Sequence, residues 1–575
     1  MVAVSVNETE YVMGNRFRVM SVLFVVLVWV IPCAGEQGDL GGGEAVLKLM
    51  PADIAFAGVF VNVEHLDKTV QAIERQIKPQ DTPEGILAGL RRDVKVADWV
   101  DFSKPLAFGV VDPTVSEPVL WLSVSDFAAK AKKDGATETD GIWRLAFPGE
   151  QQAGGLQEEK VIYAKVLGDY VIAASVKEHL AGATVKDKSL ADVLGARADL
   201  FSGREVLIHA NADKYRPIAT QGLAQAGPML PMMAMMASQG GDPMIMTSMF
   251  TGAFEGIQEF VKQVDYVDVS ISLTEKYADA TVATGFKPGR IKDYLMKMKP
   301  ASVELLGGIS DQPYMMAGGT HLPGESSPLI DYVAAKALAA MPQDNEALVG
   351  AVRDTADLYR KMTGASMAMA FSDKGMRMSG VYLTDDPAGL LEDVKKSLDK
   401  DNPIMKQFGG GQTMEPLDPK KVGRVQVAMF AMKFDPTNPQ GAQAASIYGE
   451  DARFGVGIVN KQVGFCQGTE QDIERYFTAK KVTKPLAGND AVRKVLEGLP
   501  KDRNTLLLVD LAAAAQMMQG AMMGMPGAGA AAPSASGLPL AISVSLCGEP
   551  ARLDVRVPIE ALTKMWQGPG SQSPQ

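Results

Sequence analysis

The sequence contains few of the residues that build metal centres and disulfide scaffolds. Its 575 residues include four histidines and three cysteines. The histidines, His65, His179, His209 and His321, are too widely separated to form a paired zinc motif such as HExxH. Three cysteines cannot supply a disulfide-dense fold. These shortages exclude most zinc chemistry and any small disulfide-stapled architecture.

Signals for nucleotide and nucleic-acid binding are also missing. The dipeptide Gly-Lys, which a P-loop places at the start of its helix, does not occur in the chain. Acidic residues outnumber basic ones, 68 to 57, which gives a net charge of −11. No dense run of lysine and arginine is available to follow a phosphate backbone. The sequence therefore predicts no nucleic acid partner and no Walker-type hydrolysis.

Motifs for nucleophilic or acid/base catalysis are absent or weak. The patterns GxSxG and CxxC do not occur, and Ser397-Leu-Asp-Lys400 matches SxxK without the other elements of that site. Asp385 and Asp386 precede Pro387, a pattern typical of a helix start. We therefore predict no catalytic residue, no cofactor and no metal site.

What the chain does contain is enough apolar sequence to fold. Hydrophobic residues make up 46% of it and charged residues 22%, which is typical of globular proteins and not of disordered ones. Its length suits two large domains or several small ones. Apart from the N-terminal region, no run of about 18 apolar residues exists, so the mature chain is predicted to lack a membrane span.

The N-terminal region has the pattern of a secretory leader. Arg16 and Arg18 precede the apolar run Val19–Ile31, and the small residues Ala34 and Gly35 follow it. The run is too short for a membrane-spanning helix and has the length of a signal-peptide core. We therefore predict an exported protein, periplasmic or extracellular, with a signal peptide over residues 1–35.

Two details of the leader refine this prediction. Glu8 and Glu10 do not suit a positively charged leader start, so translation is expected to begin at Met13. Cys33 could carry a lipid anchor, but Pro32 stands just before it, where a small residue is expected. The less favoured alternative is therefore a lipoprotein anchored at Cys33.

One local pattern, two alternating strands joined by a short turn, recurs along the chain. Alternation of apolar and polar residues predicts β-hairpins, and a helix-like segment follows each of them. Polar turn residues separate the strands of each pair. The predicted hairpins are Leu106–Val124, Val161–Ser175, Tyr266–Phe286, Ala365–Leu383, Phe454–Gln467 and Leu540–Val557.

The order of these hairpins predicts an internal duplication. We expect two related α+β units, residues 45–300 and 301–566, each an antiparallel sheet covered by helices. A Gly-rich tether at 36–44 and a disordered tail at 567–575 flank them. Pro328–Met362 should supply two helices, and Met405–Pro419 should be a loop.

Each unit also holds a methionine-rich stretch before its last hairpin. The stretches are predicted to be mobile inserts, broken into short pieces by proline and glycine, which could bind varied apolar partners. The bland alternative is a poorly ordered loop. The methionines proposed to contact an apolar partner are Met229, Met232, Met233, Met235, Met236, Met244, Met246 and Met249, with Met517, Met518, Met522, Met523 and Met525.

The two cysteines outside the leader form a candidate pair. Cys466 and Cys547 both fall on predicted hairpins of the second unit. In an oxidising compartment they could form a disulfide if those hairpins are neighbours. The alternative is two buried free thiols.

Three segments resemble a group of exported bacterial proteins of unknown function. They are Pro51-Ala-Asp-Ile-Ala-Phe-Ala, Gly168-Asp-Tyr-Val-Ile-Ala-Ala-Ser and Val176-Lys-Glu-His-Leu. The resemblance extends along most of the mature chain. It implies a secreted α+β repeat protein and supplies no catalytic residue.

These observations favour one function and leave two alternatives open. The first hypothesis is an exported, non-catalytic binding or assembly protein of the cell envelope, with an apolar ligand or an envelope protein as its partner. The second is an envelope hydrolase whose polar residues converge only in the fold. The third is a protein that binds Cu(I) through methionine thioethers.

Overall fold

The structure, a computed structural model, confirms a mixed α+β architecture. Helices make up about 40% of the chain and strands about 35%, and the strands pair antiparallel. This combination of helices with an antiparallel sheet is what the hairpin pattern predicts. The structure describes residues 41–77, 83, 85–93, 97–114, 117–151, 157–232, 243–301, 305–321, 327–341, 345–372, 374–399, 402–403, 412–478, 484–515 and 537–567.

The chain divides into two compact units. The first comprises the described residues up to His209, with Val269–Thr281 and Val557–Ile559. The second comprises Ala210–Asp268, Val282–Arg556 and the residues from Glu560 onward. The sequence-based bounds, 45–300 and 301–566, remain a prediction.

The strands of the N-terminal half are β1 (Phe56–Phe60), β2 (Leu106–Val110), β3 (Val119–Ser123), β4 (Thr137–Thr139), β5 (Ile142–Gln151), β6 (Gln157–Leu167), β7 (Tyr170–Ala174), β8 (Val206–Asn211), β9 (Val264–Leu273) and β10 (Tyr277–Phe286). They pair in the order β4–β5–β6–β7–β3–β2–β1–β8, and β9 pairs with β10. A backbone bond of 3.0 Å from Glu205 N to Ile271 O links the start of β8 to β9.

The first six helices described in the chain are short except for the second. Ser189 and Asp192 form a reciprocal capping box that starts the helix at Leu190. These helices are α1 (Gly41–Leu47), α2 (Val63–Ile77), α3 (Gly85–Asp93), α4 (Phe127–Lys133), α5 (Lys177–Gly182) and α6 (Leu190–Leu194).

The strands of the C-terminal half are β11 (Met316–His321), β12 (Gly364–Ser372), β13 (Gly375–Leu383), β14 (Gln412–Val422), β15 (Val425–Phe434), β16 (Arg453–Val459), β17 (Gln462–Gly468), β18 (Thr505–Val509), β19 (Leu540–Ser545) and β20 (Ala551–Pro558). They pair in the order β14–β15–β16–β17–β13–β12–β11–β18–β19–β20.

The remaining helices include the longest one described. Asn345 and Asn489 cap two of them by accepting backbone N–H bonds in the first turn. These helices are α7 (Ala212–Ala226), α8 (Pro243–Gln263), α9 (Arg290–Leu295), α10 (Ser327–Ala340), α11 (Glu346–Lys361), α12 (Pro387–Ser397), α13 (Pro439–Tyr448), α14 (Glu470–Thr478), α15 (Asp490–Leu496) and α16 (Ile559–Gln567).

Each of the six hairpins expected from the sequence is present. They are β2–β3, β6–β7, β9–β10, β12–β13, β16–β17 and β19–β20. The turn of β16–β17 shows the local chemistry, because Asn460 and Lys461 both have positive φ, 50° and 64°. A two-residue turn of this kind matches the twist of the flanking strands.

Three local expectations are corrected. The segment Met405–Pro419 is not all loop, because β14 begins at Gln412 and continues through Pro416 and Pro419. Proline is tolerated there because β14 is the terminal strand in the order of pairings. Helix α1 begins at Gly41, inside the predicted tether. The first methionine-rich stretch does not consist of short pieces only, because Pro243 starts the 21-residue helix α8.

Each unit has its own apolar core. In the first unit, Trp121 and Ile172 are completely buried on the paired strands β3 and β7. In the second unit, Phe465 of β17 and Leu390 of α12 lie in one cluster with Phe454 of β16. Alternation along the strands places these side chains on one face of each sheet.

Candidate binding surface

Three helices of the second unit, α7, α8 and α10, pack on one another and are called the helical layer below. Helix α8 lies between the other two. On one side, the Arg216 guanidinium of α7 donates 2.5 Å and 3.3 Å bonds to the Val264 and Val261 carbonyls. On the other side, Lys336 of α10 forms a 2.5 Å ion pair with Glu255 of α8. The helical layer is therefore held by polar contacts along its seams.

Helices α8 and α10 are apolar in sequence, but the helical layer is poorly buried. Helix α7 has no buried residue. Among the described side chains of α8 and α10, only Gln263 at the end of α8 is buried. Amphipathic surface helices normally bury one apolar face against a core, so these helices present apolar surface that the described part of the chain does not cover.

The exposed apolar side chains of α8 fall on one face. Ala253, Ile257 and Phe260 follow the spacing i, i+4, i+7, and all three are exposed. Gly252 and Glu255, which meet α10, project from another part of the helix. Six large apolar side chains of the helical layer and of the segment that follows α7 are 43% to 60% exposed. They are Ile218, Met229, Met232, Ile257, Phe260 and Val333.

Helix α9 is joined to the end of α8 by the buried side chain of Gln263. The Gln263 Oε1 accepts a 3.0 Å bond from Ile291 N, and its backbone carbonyl accepts a 2.8 Å bond from Lys287 N. The ring of Phe260 meets that of Phe286 edge-on at 5.5 Å. These contacts fix α9 beside the exposed apolar face of α8.

A group of solvent-facing basic and apolar side chains surrounds this junction. Lys262, Arg290, Met296 and Lys297 are all exposed, and they are called the basic corner below. The Arg290 guanidinium lies 5.0 Å from the ring centroid of Tyr332 on α10. Met296 is 62% exposed, the highest value for a large apolar side chain in the described residues.

The predicted methionine contacts are only partly within the described structure. Met229 and Met232 are exposed at the end of the α7 segment. Met244, Met246 and Met249 belong to α8, but their side chains lie outside what the structure describes. Met233, Met235, Met236 and all five methionines from Met517 to Met525 also lie outside the described residues.

The structure does not bring Cys466 and Cys547 together. Both are free thiols, and β13, β12, β11 and β18 lie between β17 and β19 in the order of pairings. Five strand spacings correspond to roughly 24 Å, far beyond the Cα separation of a disulfide. Burial raises the pKa of the Cys466 thiol to about 12, so it stays protonated and unreactive.

One carboxyl group has a strongly shifted acidity. Glu205 is 6% exposed, and burial raises its pKa to about 7. Its Oε2 accepts a 2.8 Å bond from Leu273 N, whereas Oε1 has no hydrogen-bond partner among the described residues. The negative charge of Asp279 raises the pKa further, and Arg204 opposes it. Because the pKa of the buried carboxyl differs from that of the unfolded chain, its protonation is coupled to folding stability.

An open depression lined by Gln471, Glu474, Arg475 and Thr478 of α14 has a volume of about 460 Å³. Among the described residues, no group of three or more histidine, cysteine, aspartate or glutamate side chains is suitably placed for a metal. A cavity lined by Asp311, Tyr314, Asn489 and Asp510 has a volume of about 20 Å³, room for one water molecule. In the described part of the chain, no helix has both the length and the apolar character needed to cross a bilayer.

Sequence reasoning misses the helical layer and the basic corner. Helix α7 ends just before the stretch predicted as a mobile insert, α8 begins inside that stretch, and α10 is predicted only as a helix. The available signal is the α10 sequence SPLIDYVAAKALAA, which is apolar on nearly every face. Such a helix is either enclosed or in need of a partner.

Comparisons with known proteins leave the function open. No protein-family model matches the chain, and no curated protein matches it. A solved structure described as "Structure of crystal form I of TP0453" aligns with 42% of this chain and 79% of its own, at 10% identity and a TM-score of 0.21. This likeness is too low to support a conclusion about fold or function.

Proposed function

We propose that this chain is an exported, non-catalytic binding or assembly protein of the bacterial cell envelope, which binds an apolar ligand or envelope protein on the helical layer. The exposure of Ile257, Phe260 and Val333, each about half in solvent, carries the proposal. Covering apolar surface yields roughly 25 cal/mol per Å², so a partner that covers these side chains gains free energy. Clustered apolar exposure is characteristic of interaction sites.

The sequence of the leader supports the envelope location. Arg16, Arg18 and the run Val19–Ile31 are typical of a signal peptide, which places the mature N-terminus between residues 34 and 37. N-terminal sequencing of the exported protein tests this. A diacylglycerol group on Cys33 would instead show an anchored lipoprotein.

We further propose that the two halves arose by duplication. The pairing order β4–β5–β6–β7–β3–β2–β1–β8 matches β14–β15–β16–β17–β13–β12–β11–β18, strand for strand, and a final hairpin follows in each half. Units 45–300 and 301–566 should then superpose. A crystal structure in which the two halves cannot be superposed would reject this.

The exposed methionines support the proposal that the helical layer adapts to different apolar partners. Met229 and Met232 are exposed, and unbranched thioether side chains repack easily against different apolar shapes. A layer held by polar seams and lined by such side chains can accept more than one partner.

Binding of Nile red, a neutral apolar dye, tests the proposal directly. The double variant Ile257→Ser/Phe260→Ser should weaken dye binding at least tenfold, because it removes apolar area from the α8 face. The matched control is Ile458→Ser/Leu553→Ser, which changes two exposed apolar residues of strands β16 and β20. The control should bind the dye like the wild type.

A second variant separates the apolar and metal hypotheses. Replacing the methionines between Met229 and Met249 by serine should preserve the fold and reduce dye binding. Dye binding that stays at the wild-type level in this variant and in Ile257→Ser/Phe260→Ser would reject the helical layer as the site. A stoichiometric Cu(I) titration that is lost in the methionine variant would favour a copper-binding function instead.

A further inference from the structure

We propose that the basic corner docks this protein onto an anionic lipid surface, with Met296 entering the interface and Lys262, Arg290 and Lys297 contacting phosphate groups. The inference rests on the proposed function and names the partner of its apolar surface. It concerns the junction of α8 and α9, all within the second unit.

The junction holds its charged side chains in fixed relation. Gln263 bonds to Ile291 N at 3.0 Å, and Lys262 and Arg290 are the immediate chain neighbours of these two residues. Arg290 is further positioned over Tyr332 of α10 at 5.0 Å. Lys262 and Arg290 therefore extend from neighbouring backbone positions, although they are 28 positions apart in sequence.

The segment that carries α9 is positively charged, opposite in sign to the whole chain. Residues 287–299 contain five basic side chains and one acidic one, whereas the chain carries a net charge of −11. On α8, the acidic Glu259 lies one turn before Lys262 and accepts a 2.5 Å hydrogen bond from Gln263. Lys287 and Lys292 are neutralised by ion pairs with Asp213 and Glu549. Among the described residues, no ion pair involves Lys262, Arg290 or Lys297, so their charges remain available.

An acidic protein approaches an anionic surface only through such a local patch. Charges more than about 10 Å away are largely screened at moderate ionic strength. The local cations therefore dominate at contact, while the remaining acidic surface sets the orientation. Each lysine or arginine near an anionic leaflet contributes attraction equivalent to about fivefold in binding.

The kind of side chain favours a lipid over a protein partner. Met296 is the most exposed large apolar residue of the described chain, and Phe260 and Ile257 lie on the neighbouring helix α8. Lysine and arginine have long apolar stems that let their charged ends reach phosphate while the stems rest in the interface. Apolar residues flanked by such cations are typical of interfacial binding.

Vesicle sedimentation with the purified chain tests this inference. The protein should co-sediment with phosphatidylcholine vesicles that contain phosphatidylglycerol, bind far less to phosphatidylcholine alone, and be released by high salt. The triple variant Lys262→Gln/Arg290→Gln/Lys297→Gln should bind about 100-fold more weakly, since it removes three attractions of about fivefold each. Met296→Ser should weaken binding without changing its salt dependence.

The matched control removes three exposed lysines elsewhere. Lys133→Gln/Lys186→Gln/Lys188→Gln makes the same change in net charge on exposed positions of the first unit. It should bind the anionic vesicles as well as the wild type does. Equal weakening by both triple variants would show a non-specific charge effect and overturn the inference.

The two proposals can fail separately. Nile red binding without vesicle binding would overturn the lipid inference and leave the apolar-surface proposal standing. Loss of both would reject both. Vesicle binding that does not depend on phosphatidylglycerol would also overturn the lipid inference. So would a basic corner that binds an acidic protein and no vesicles.

Discussion

The second unit contains two regions of similar apolar content that use it in opposite ways. Around Phe465, strands β16 and β17 and helix α12 bury most of their large apolar side chains, and Leu390 and Val456 are completely enclosed. In the helical layer, residues of the same types stay half exposed. Apolar composition therefore does not determine burial, which also requires another element of the fold to cover the apolar face.

Helices α14 and α10 show the difference at the level of single elements. The α14 sequence EQDIERYFT has apolar residues on one side, and it buries Ile473 and Phe477 on the sheet. The α10 sequence SPLIDYVAAKALAA has them on every side, so no single contact can cover all of them. The first pattern specifies a packing face, and the second leaves surface for a partner.

The largest expected effect comes from glycine substitutions that test how tightly each region is packed. In β11, a Cβ at Gly319 would lie 1.9 Å from the Leu305 carbonyl oxygen and 2.9 Å from that of Ala365. Both atoms are backbone and cannot move independently. Gly319→Ala should therefore lower the free energy of unfolding by more than about 4 kcal/mol, measured by urea denaturation.

The same substitution at Gly252, in the helical layer, should raise the free energy of unfolding instead of lowering it. A Cβ at Gly252 would lie 3.8 Å from the Lys336 carbonyl oxygen, an ordinary contact. Gly252→Ala should stabilise by up to about 1 kcal/mol, because alanine favours the helix. If both substitutions destabilise equally, the helical layer is as tightly packed as the sheet and the comparison is wrong.

A pair of phenylalanine truncations gives the next largest effect. Phe465 is almost completely buried and stacks on Tyr382 at a centroid distance of 4.6 Å. Phe465→Ala should cost about 3 to 5 kcal/mol. Phe260→Ala, in the helical layer, should cost about 1 kcal/mol, because much of that ring is already in water. Thermal and urea unfolding measure both, and comparable losses would contradict the assignment of Phe260 to an open surface.

The buried carboxyl group of Glu205 should have a smaller effect on the free energy of unfolding, and this effect depends on pH. Burial raises the pKa of Glu205 to about 7 from an ordinary value of 4.5. The folded protein therefore keeps this proton over a range in which the unfolded chain has released it. The free energy of unfolding should fall as pH rises from about 4.5 to 7, by about 3 kcal/mol in total.

The Glu205→Gln variant isolates this effect. Glutamine retains an oxygen to accept the Leu273 N–H bond but does not ionise. The variant should match the wild type near pH 5 and exceed its stability at pH 8. The control is Glu255→Gln, which removes a charge from the exposed ion pair with Lys336. Its difference in stability from the wild type should be the same at pH 5 and at pH 8. Parallel pH profiles for wild type and Glu205→Gln would rule out a buried ionisation at this position.

Local features of the fold can be predicted from the sequence because their causes are local. Period-2 alternation is enough for the hairpins, and Asp386 caps α12 by accepting a 2.9 Å bond from Gly389 N, as the Asp-Pro pattern indicates. The strand β14 escapes prediction since Pro416 and Pro419 argue against a strand unless its place at the end of the pairing order is known. That place depends on the whole sheet.

The candidate surface is largely beyond prediction for the same reason. Composition identifies Met229 and Met232, but Ile257 and Val333 look like core residues until their lack of cover is seen. The basic corner depends on Gln263 joining α8 to α9, a contact that no sequence period signals. Of the two alternatives for Cys466 and Cys547, the structure has free thiols, because hairpin order along the chain does not give neighbour order in the sheet.

The prolines of β14 have a consequence for how this protein avoids aggregation while it folds. Every proline removes a backbone N–H donor, so β14 offers an incoming strand an interrupted set of donors, and its register also shifts between Leu417 and Lys420. A partly folded chain that has already formed this sheet is then a poor template for another copy. Pro416→Thr/Pro419→Thr would restore a continuous edge, of the kind on which misfolded chains stack into fibrils.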